Sequence, residues 1–111
     1  MVLIDRQNYF IFYPLLIEAG SGSLEPRHAV VSIRAFVKRT RFLMGSVEAI
    51  DRSARAVDVV LPDGESRQRV EYDHLVLAPG SVTRLPDVPG LREHGFQLKS
   101  LADAVTLRDR S

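Results

Sequence analysis

The chain opens on a wholly apolar run, Val2-Leu3-Ile4, closed by the charges of Asp5 and Arg6. Apolar residues without alternation predict a strand covered on both faces, here over Val2–Asp5. Polar Arg6–Tyr9 predicts a turn. Phe10–Ile17 is almost entirely apolar or aromatic, but Pro14 interrupts it, which predicts an extended stretch followed by one helical turn. Gly20-Ser21-Gly22-Ser23 reads as a flexible link, and Pro26 suits the first turn of a helix. Ala29, Val30, Ile33, Phe36 and Val37 recur at helical spacing and predict one helical face over Ala29–Val37.

From Arg41 the period falls to two. Strands are expected at Phe42–Ile50, Arg55–Leu61 and Ser66–Tyr72, with turns at Asp51-Arg52-Ser53 and Pro62-Asp63-Gly64-Glu65. Val57, Val59 and Leu61 fall on one side of their strand and Asp58 on the other. Val70 and Tyr72 share a face, while Arg69 and Glu71 point outward. Leu75-Val76-Leu77-Ala78 is a second continuous apolar run, ended by Pro79-Gly80-Ser81. After a loop with Pro86, Pro89 and Gly90, Ser100 and Asp103 form a capping box for a last helix, Ser100–Ser111.

These elements place the chain in the α/β class: two short buried strands, parallel to each other, separated by a helix and a three-stranded antiparallel meander. It divides into 1–40 (strand, aromatic loop and helix), 41–73 (meander) and 74–111 (final strand, loop and helix). A strand that begins directly after Met1 and a helix that stops as it forms predict a piece of a longer domain.

Composition narrows the chemistry. With 45% hydrophobic and 26% charged residues the chain is globular rather than disordered. A net charge of +1 gives no broad field for nucleic acid or an anionic membrane. Without cysteine there is no disulfide, thiolate zinc site or redox dithiol in these residues. The longest apolar run, Tyr9–Ile17, is far short of the about 20 residues that span a bilayer, and no leader-like segment is visible. A cytoplasmic domain without a transmembrane segment is expected. His28, His74 and His94 are scattered with no metal-ligand spacing, and no nucleophile elbow is present. Arg27, Arg34, Lys38, Arg39 and Arg41 would make a basic helix, read as a solvated face before a nucleic-acid surface. Tyr9, Phe10, Phe12 and Tyr13 suit core packing at least as well as stacking on a flavin or a base. Asp5 is placed for one specific use. An acidic residue ending a buried strand accepts hydrogen bonds from ribose hydroxyls in dinucleotide folds. Spacing alone reads as a solvated strand-end carboxylate before a ribose ligand.

Leu3-Ile4-Asp5-Arg6-Gln7-Asn8-Tyr9, then Phe12-Tyr13-Pro14-Leu15-Leu16 and Gly22-Ser23-Leu24, resembles the type II NADH dehydrogenases of the FAD-dependent pyridine nucleotide-disulfide oxidoreductase superfamily. The resemblance resumes at Gly45–Asp51 and at Tyr72–Ser81, and closes with Pro89-Gly90-Leu91 and Lys99–Ala104. It implies a partial Rossmann-like FAD-binding domain. In the complete enzyme, hydride passes from NADH to FAD and electrons then reach a quinone-type acceptor. It further implies that Asp5, with Arg6 beside it, holds the adenosine ribose of FAD. Val47 meets the adenine edge through its backbone, and Pro14 and Leu15 wall the flavin ring. Ala78, Pro79 and Gly80 correspond to a turn near the ribityl and phosphate region, where a residue without Cβ lets backbone approach the ligand. No residue is required as catalytic acid, base or nucleophile, and no metal is implied.

Three positions depart from the family pattern: Pro79 stands for threonine, Phe10 for histidine and Tyr13 for glutamine. The 111 residues also contain no Gly-x-Gly-x-x-Gly turn, the device that binds a pyrophosphate. Gly20-Ser21-Gly22 does not supply one, because Glu25 takes the third glycine's place. The isolated chain is therefore expected to bind FAD weakly or not at all and to be inactive. The complete enzyme is expected to sit peripherally at the inner face of a membrane. The alternative is a non-catalytic module that self-associates as a homo-oligomer, because strand edges at Val2–Ile4 and Leu75–Ala78 lack a shared neighbour.

Overall fold

The computed structural model describes residues 1–110. In chain order the strands are β1 (Val2–Asp5), β2 (Tyr9–Ile11), β3 (Val30–Ser32), β4 (Arg41–Met44), β5 (Ser46–Asp51), β6 (Ala56–Val60) and β7 (Arg67–Glu71). The helices are α1 (Leu16–Gly20), α2 (Ile33–Phe36), α3 (Leu91–His94) and α4 (Leu101–Arg108), with 3-10 turns at Tyr13–Leu15 and Pro26–Ala29. The chain forms two compact units, one of Met1–Tyr9 with Ser32–Ala78 and one of Phe10–Val31 with Pro79–Ser111. Strands β2 and β3 pair with each other.

The first unit is built on strands. β1 and β4 run parallel, with Val2 opposite Arg41 and Asp5 opposite Met44. β5, β6 and β7 form the expected antiparallel meander. Alternation sets its faces: Val57 and Val59 are buried, with Ala56 beside them, while Arg67, Arg69 and Glu71 are exposed. On the outer face Arg69 reaches Asp51 (2.8 Å) and Asp58 (3.0 Å), and Arg67 reaches Glu48 (2.9 Å). The Arg67 hydrogen bond holds the Glu48 carboxyl below its ordinary range. The Ala54 N–H and then Arg69 do the same for Asp51.

The expected strand Phe42–Ile50 is two strands. They part at Gly45, where a Cβ would stand 2.5 Å from the Val59 Cγ1 and 2.7 Å from the Val60 carbonyl oxygen. That closeness lets one stretch of chain leave β1 and take up β6.

The second unit is mostly helical. Pro14 lies in the first part of the 3-10 turn Tyr13–Leu15, which leads into α1, where Leu16 and Ala19 are buried. Leu16 and Ala19 serve as the apolar face of a helix too short to stand alone. α1 packs on α4 at Gly20, whose Cβ would lie 3.2 Å from the Leu107 Cδ2 and 3.9 Å from the Ala104 Cα. The capping box forms as the sequence indicates: the Asp103 N–H donates to the Ser100 Oγ (3.1 Å) and the Ser100 N–H to the Asp103 Oδ2 (2.7 Å).

Four further expectations need correction. Ala29–Val37 is not one helix but the end of a 3-10 turn, strand β3 and the single turn α2. Val30 and Val31 are β-branched and fit a ladder with β2 better than a helix. This also disperses the basic helix: Arg34 instead lies over the Phe42 ring, 5.4 Å from its centre. Gly20–Ser23 is a helix cap rather than a flexible link. The Ser21 N–H donates to the Ile17 carbonyl and the Leu24 N–H to that of Glu18, while Ser21 and Ser23 share a 2.7 Å hydroxyl contact. Leu75–Ala78 is not a strand, and 74–111 contains none among the described residues. Its hydrogen bonds have no ladder partner here, leaving Val76 at 87% and Leu77 at 67% exposed. Val2 and Leu3 form a strand as expected but are not buried, because β4 is the only ladder partner of β1 among the described residues.

Candidate functional site

In the first unit the parallel pair β1–β4 brings two of the sequence-derived site residues to one edge. Both strands end at their carboxyl ends together, and the Gly45 N–H donates to the Asp5 carbonyl at 2.9 Å. Val47 follows two residues later, 47% exposed, beside an irregularity in the β5–β6 ladder between Val47 and Ala49. Asp5 and Val47 thus flank the carboxyl end of a parallel pair, the place where α/β sheets bind ligands. The Asp5 Oδ1 accepts the Gln7 N–H (2.9 Å), which fixes the carboxylate. The same carboxylate forms no ion pair among the described residues. Arg6 is exposed and has no carboxylate partner there. Ala78 lies in this unit too, exposed and outside any ladder.

The second unit holds Pro14, Leu15, Pro79 and Gly80. Pro14 and Leu15 lie in the 3-10 turn, the latter half-buried, with its N–H donating to the Phe12 carbonyl (3.0 Å). Pro79 and Gly80 are exposed. Gly80 has φ +72°, where other residues are strained, and a Cβ built on it meets no heavy atom within 4 Å. The turn needs glycine for its backbone, and the space beside it is open.

One residue that sequence reasoning left without a role joins these two turns. The Lys99 Nζ donates to the Ser81 Oγ at 2.9 Å and lies 5.4 Å from the centre of the Tyr13 ring. Ser81 follows Gly80, and Tyr13 precedes Pro14. The Lys99 N–H donates to the Asp103 Oδ2 (3.0 Å), so the helix cap anchors its backbone. Partial burial works against ionisation of the Asp103 carboxyl. Hydrogen bonds from Lys99 and Ser100 outweigh this and hold it below its ordinary value. The sequence signal for Lys99 was only its position at the head of a family-like segment.

A cofactor test follows from these surroundings. An adenosine ribose needs an acceptor at a strand end, and Asp5 keeps acceptor capacity that no protein donor fills among the described residues. A flavin needs backbone that it can approach closely, and Gly80 has open space on its Cβ side. Each feature, taken within its own unit, suits FAD. Among the described residues no cluster of metal-ligating side chains occurs, and no helix is long and apolar enough to cross a membrane.

Comparison with known proteins bears on the family and the fold. The chain is 28% identical over 117 residues to a probable mitochondrial NADH-ubiquinone oxidoreductase of Schizosaccharomyces pombe, covering 99% of this chain and 21% of that protein. It is 30% identical over 113 residues to an external alternative NAD(P)H-ubiquinone oxidoreductase of Arabidopsis thaliana mitochondria, covering 96% and 19%. The chain therefore spans about a fifth of the length of these curated relatives. Among solved structures it matches NDH2 of Plasmodium falciparum in complex with NADH at a TM-score of 0.84 and 25% identity, covering 96% of this chain and 23% of that one. It shares the fold of the sulfide:quinone oxidoreductase of Aquifex aeolicus at a TM-score of 0.81 and 22% identity, covering 98% and 24%. The pyridine nucleotide-disulphide oxidoreductase family model matches residues 1–111 in full. A mixed α/β chain with an acidic strand end and an open glycine turn, matched by that model along its whole length, belongs to the pyridine nucleotide-disulphide oxidoreductase family.

Proposed function

We propose that this chain is part of the FAD-binding domain of a type II NADH dehydrogenase-like flavoprotein that passes electrons from NADH to a quinone-type acceptor. The observation that carries the reading is Asp5, a fixed carboxylate at the carboxyl end of a parallel pair with Val47 beside it. When bound, FAD supplies the redox chemistry: it takes hydride from NADH and gives up electrons to the acceptor. The residues of this chain bind and orient. In the first unit Asp5 accepts the ribose hydroxyls, Arg6 offers an exposed cation beside it, Val47 meets the adenine, and Ala78 leads into the turn. In the second, Pro14 and Leu15 offer an apolar wall, and Pro79 and Gly80 a turn that backbone-close atoms can approach. None of these residues moves a proton. The names of the relatives, which specify ubiquinone, support the quinone-type acceptor; a peripheral place at a membrane surface belongs to the same proposal.

The test is expression of the longer protein that carries this segment, with flavin absorbance and NADH:quinone reduction measured. Stoichiometric FAD is expected, and Asp5→Ala is expected to lower FAD affinity by at least tenfold. A longer protein without flavin would overturn the reading. A polypeptide of the 111 residues alone is expected to bind FAD weakly or not at all and to oxidise no NADH, because it contains no Gly-x-Gly-x-x-Gly turn.

The exposed, ladder-free run Leu75–Ala78 favours a second reading for the 111 residues by themselves: self-association by strand pairing. Light scattering is expected to show dimers or larger species. A sharp monomer at high concentration would remove this reading.

A further inference from the structure

We propose that Lys99 is a cofactor-binding residue, whose ammonium, held between Tyr13 and Ser81, donates a hydrogen bond to a negatively charged acceptor of FAD. The inference rests on the proposed function. An ammonium carries three N–H donors and accepts none. Ser81 takes one, and the Tyr13 ring attracts the charge through its face. Lys99 has no ion pair with a carboxylate among the described residues. A donor therefore remains on a cation that touches both the turn carrying Pro14 and Leu15 and the turn carrying Pro79 and Gly80.

Lysine side chains normally lose much rotamer freedom on binding, which weakens their contribution. Here the root is fixed by the Asp103 cap and the tip by Ser81, so part of that freedom is already gone. The acceptors that suit such a donor are the phosphate oxygens and the carbonyl edge of the flavin ring, which gains negative charge on reduction. The two share one chemistry and differ in their response to the redox state.

The experiment uses the longer flavoprotein with Lys99→Met, Lys99→Arg and Ser81→Ala. FAD dissociation is read by flavin fluorescence, and the midpoint potential by equilibration with a dye. Methionine keeps the aliphatic stem and the backbone N–H to Asp103, so the cap of α4 survives; thermal unfolding of the apo-protein checks this. K99M is expected to weaken FAD binding by about tenfold or more, S81A by less, and K99R is expected to restore most of the loss. If the acceptor is a phosphate, oxidised and reduced FAD weaken equally. If it is the ring edge, reduced FAD weakens more, and each tenfold difference lowers the potential by about 30 mV. Either pattern supports the proposal. Wild-type affinity and potential in K99M would overturn it, as would a K99R variant no better than K99M. A wild-type protein without FAD would overturn the proposed function itself.

Discussion

Gly45 offers the sharpest test of the packing described above. Alanine there puts a methyl 2.5 Å from the Val59 Cγ1 and 2.7 Å from the Val60 carbonyl oxygen, both closer than real Cβ contacts. Neither neighbour yields easily. Val59 is fully buried and β-branched, so turning its methyl aside costs about 0.5–1.5 kcal/mol. The Val60 carbonyl belongs to the backbone of β6, whose residue Val60 is paired with both Ser46 and Arg67. Overpacking of this kind costs about 1–3 kcal/mol. Reduced freedom of the unfolded chain returns about 0.4–1 kcal/mol. G45A is therefore expected to lose about 1–2 kcal/mol net in urea unfolding followed by far-ultraviolet circular dichroism. V59A alone costs about 2 kcal/mol through its lost methyls, but in the G45A background it also removes one clash. The double variant should be more stable than the summed losses by about 1 kcal/mol. G20A is the control, because its nearest neighbour is the flexible end of Leu107, and a change within about 1 kcal/mol is expected. A G45A variant within about 0.5 kcal/mol of wild type, or strict additivity with V59A, would refute the reasoning.

Three further outcomes follow from the caps and charges. S100A removes one half of the α4 capping box and is expected to cost about 1 kcal/mol in thermal unfolding. The Asp103 carboxyl is held below its ordinary value of 3.8, so its contribution is complete above that pH and is lost as pH falls through the lowered value. Acid titration of D103N should show that part of the acid limb flattened; an unchanged limb would assign it elsewhere. R69A is expected to destabilise slightly at low salt and not at all near 1 M, where screening reaches about 3 Å. A salt-independent loss would show that the guanidinium acts through packing.

Where pairing is local, the sequence was a sufficient guide. The meander follows from alternation and turn chemistry between neighbours, and the Ser100–Asp103 cap is a four-residue event. Ala29–Val37 misled because five apolar residues fit helical spacing, while Val30 and Val31 answer to β2, which lies far back in the chain. Leu75–Ala78 carries strand composition, but a strand also needs a ladder, and composition does not supply one. The site divides in the same way. Asp5 was legible because a charge ending an apolar run has a positional meaning. Lys99 was not, since its meaning lies in contacts to Ser81 and Tyr13.

The glycine relay at residue 45 also sets an order of events. The β5–β6–β7 hairpins close over short turns, a matter of microseconds. β1 must wait for β4 across residues 6–40, a far longer loop with a larger closure entropy. During synthesis Val2-Leu3-Ile4 leaves the ribosome before β4 and is completed late, while β4 is tethered through Gly45 to a meander that forms rapidly. The meander is then a template that presents β4 in position, and a lesion at Gly45 would slow the docking of β1 as well as loosen the finished sheet.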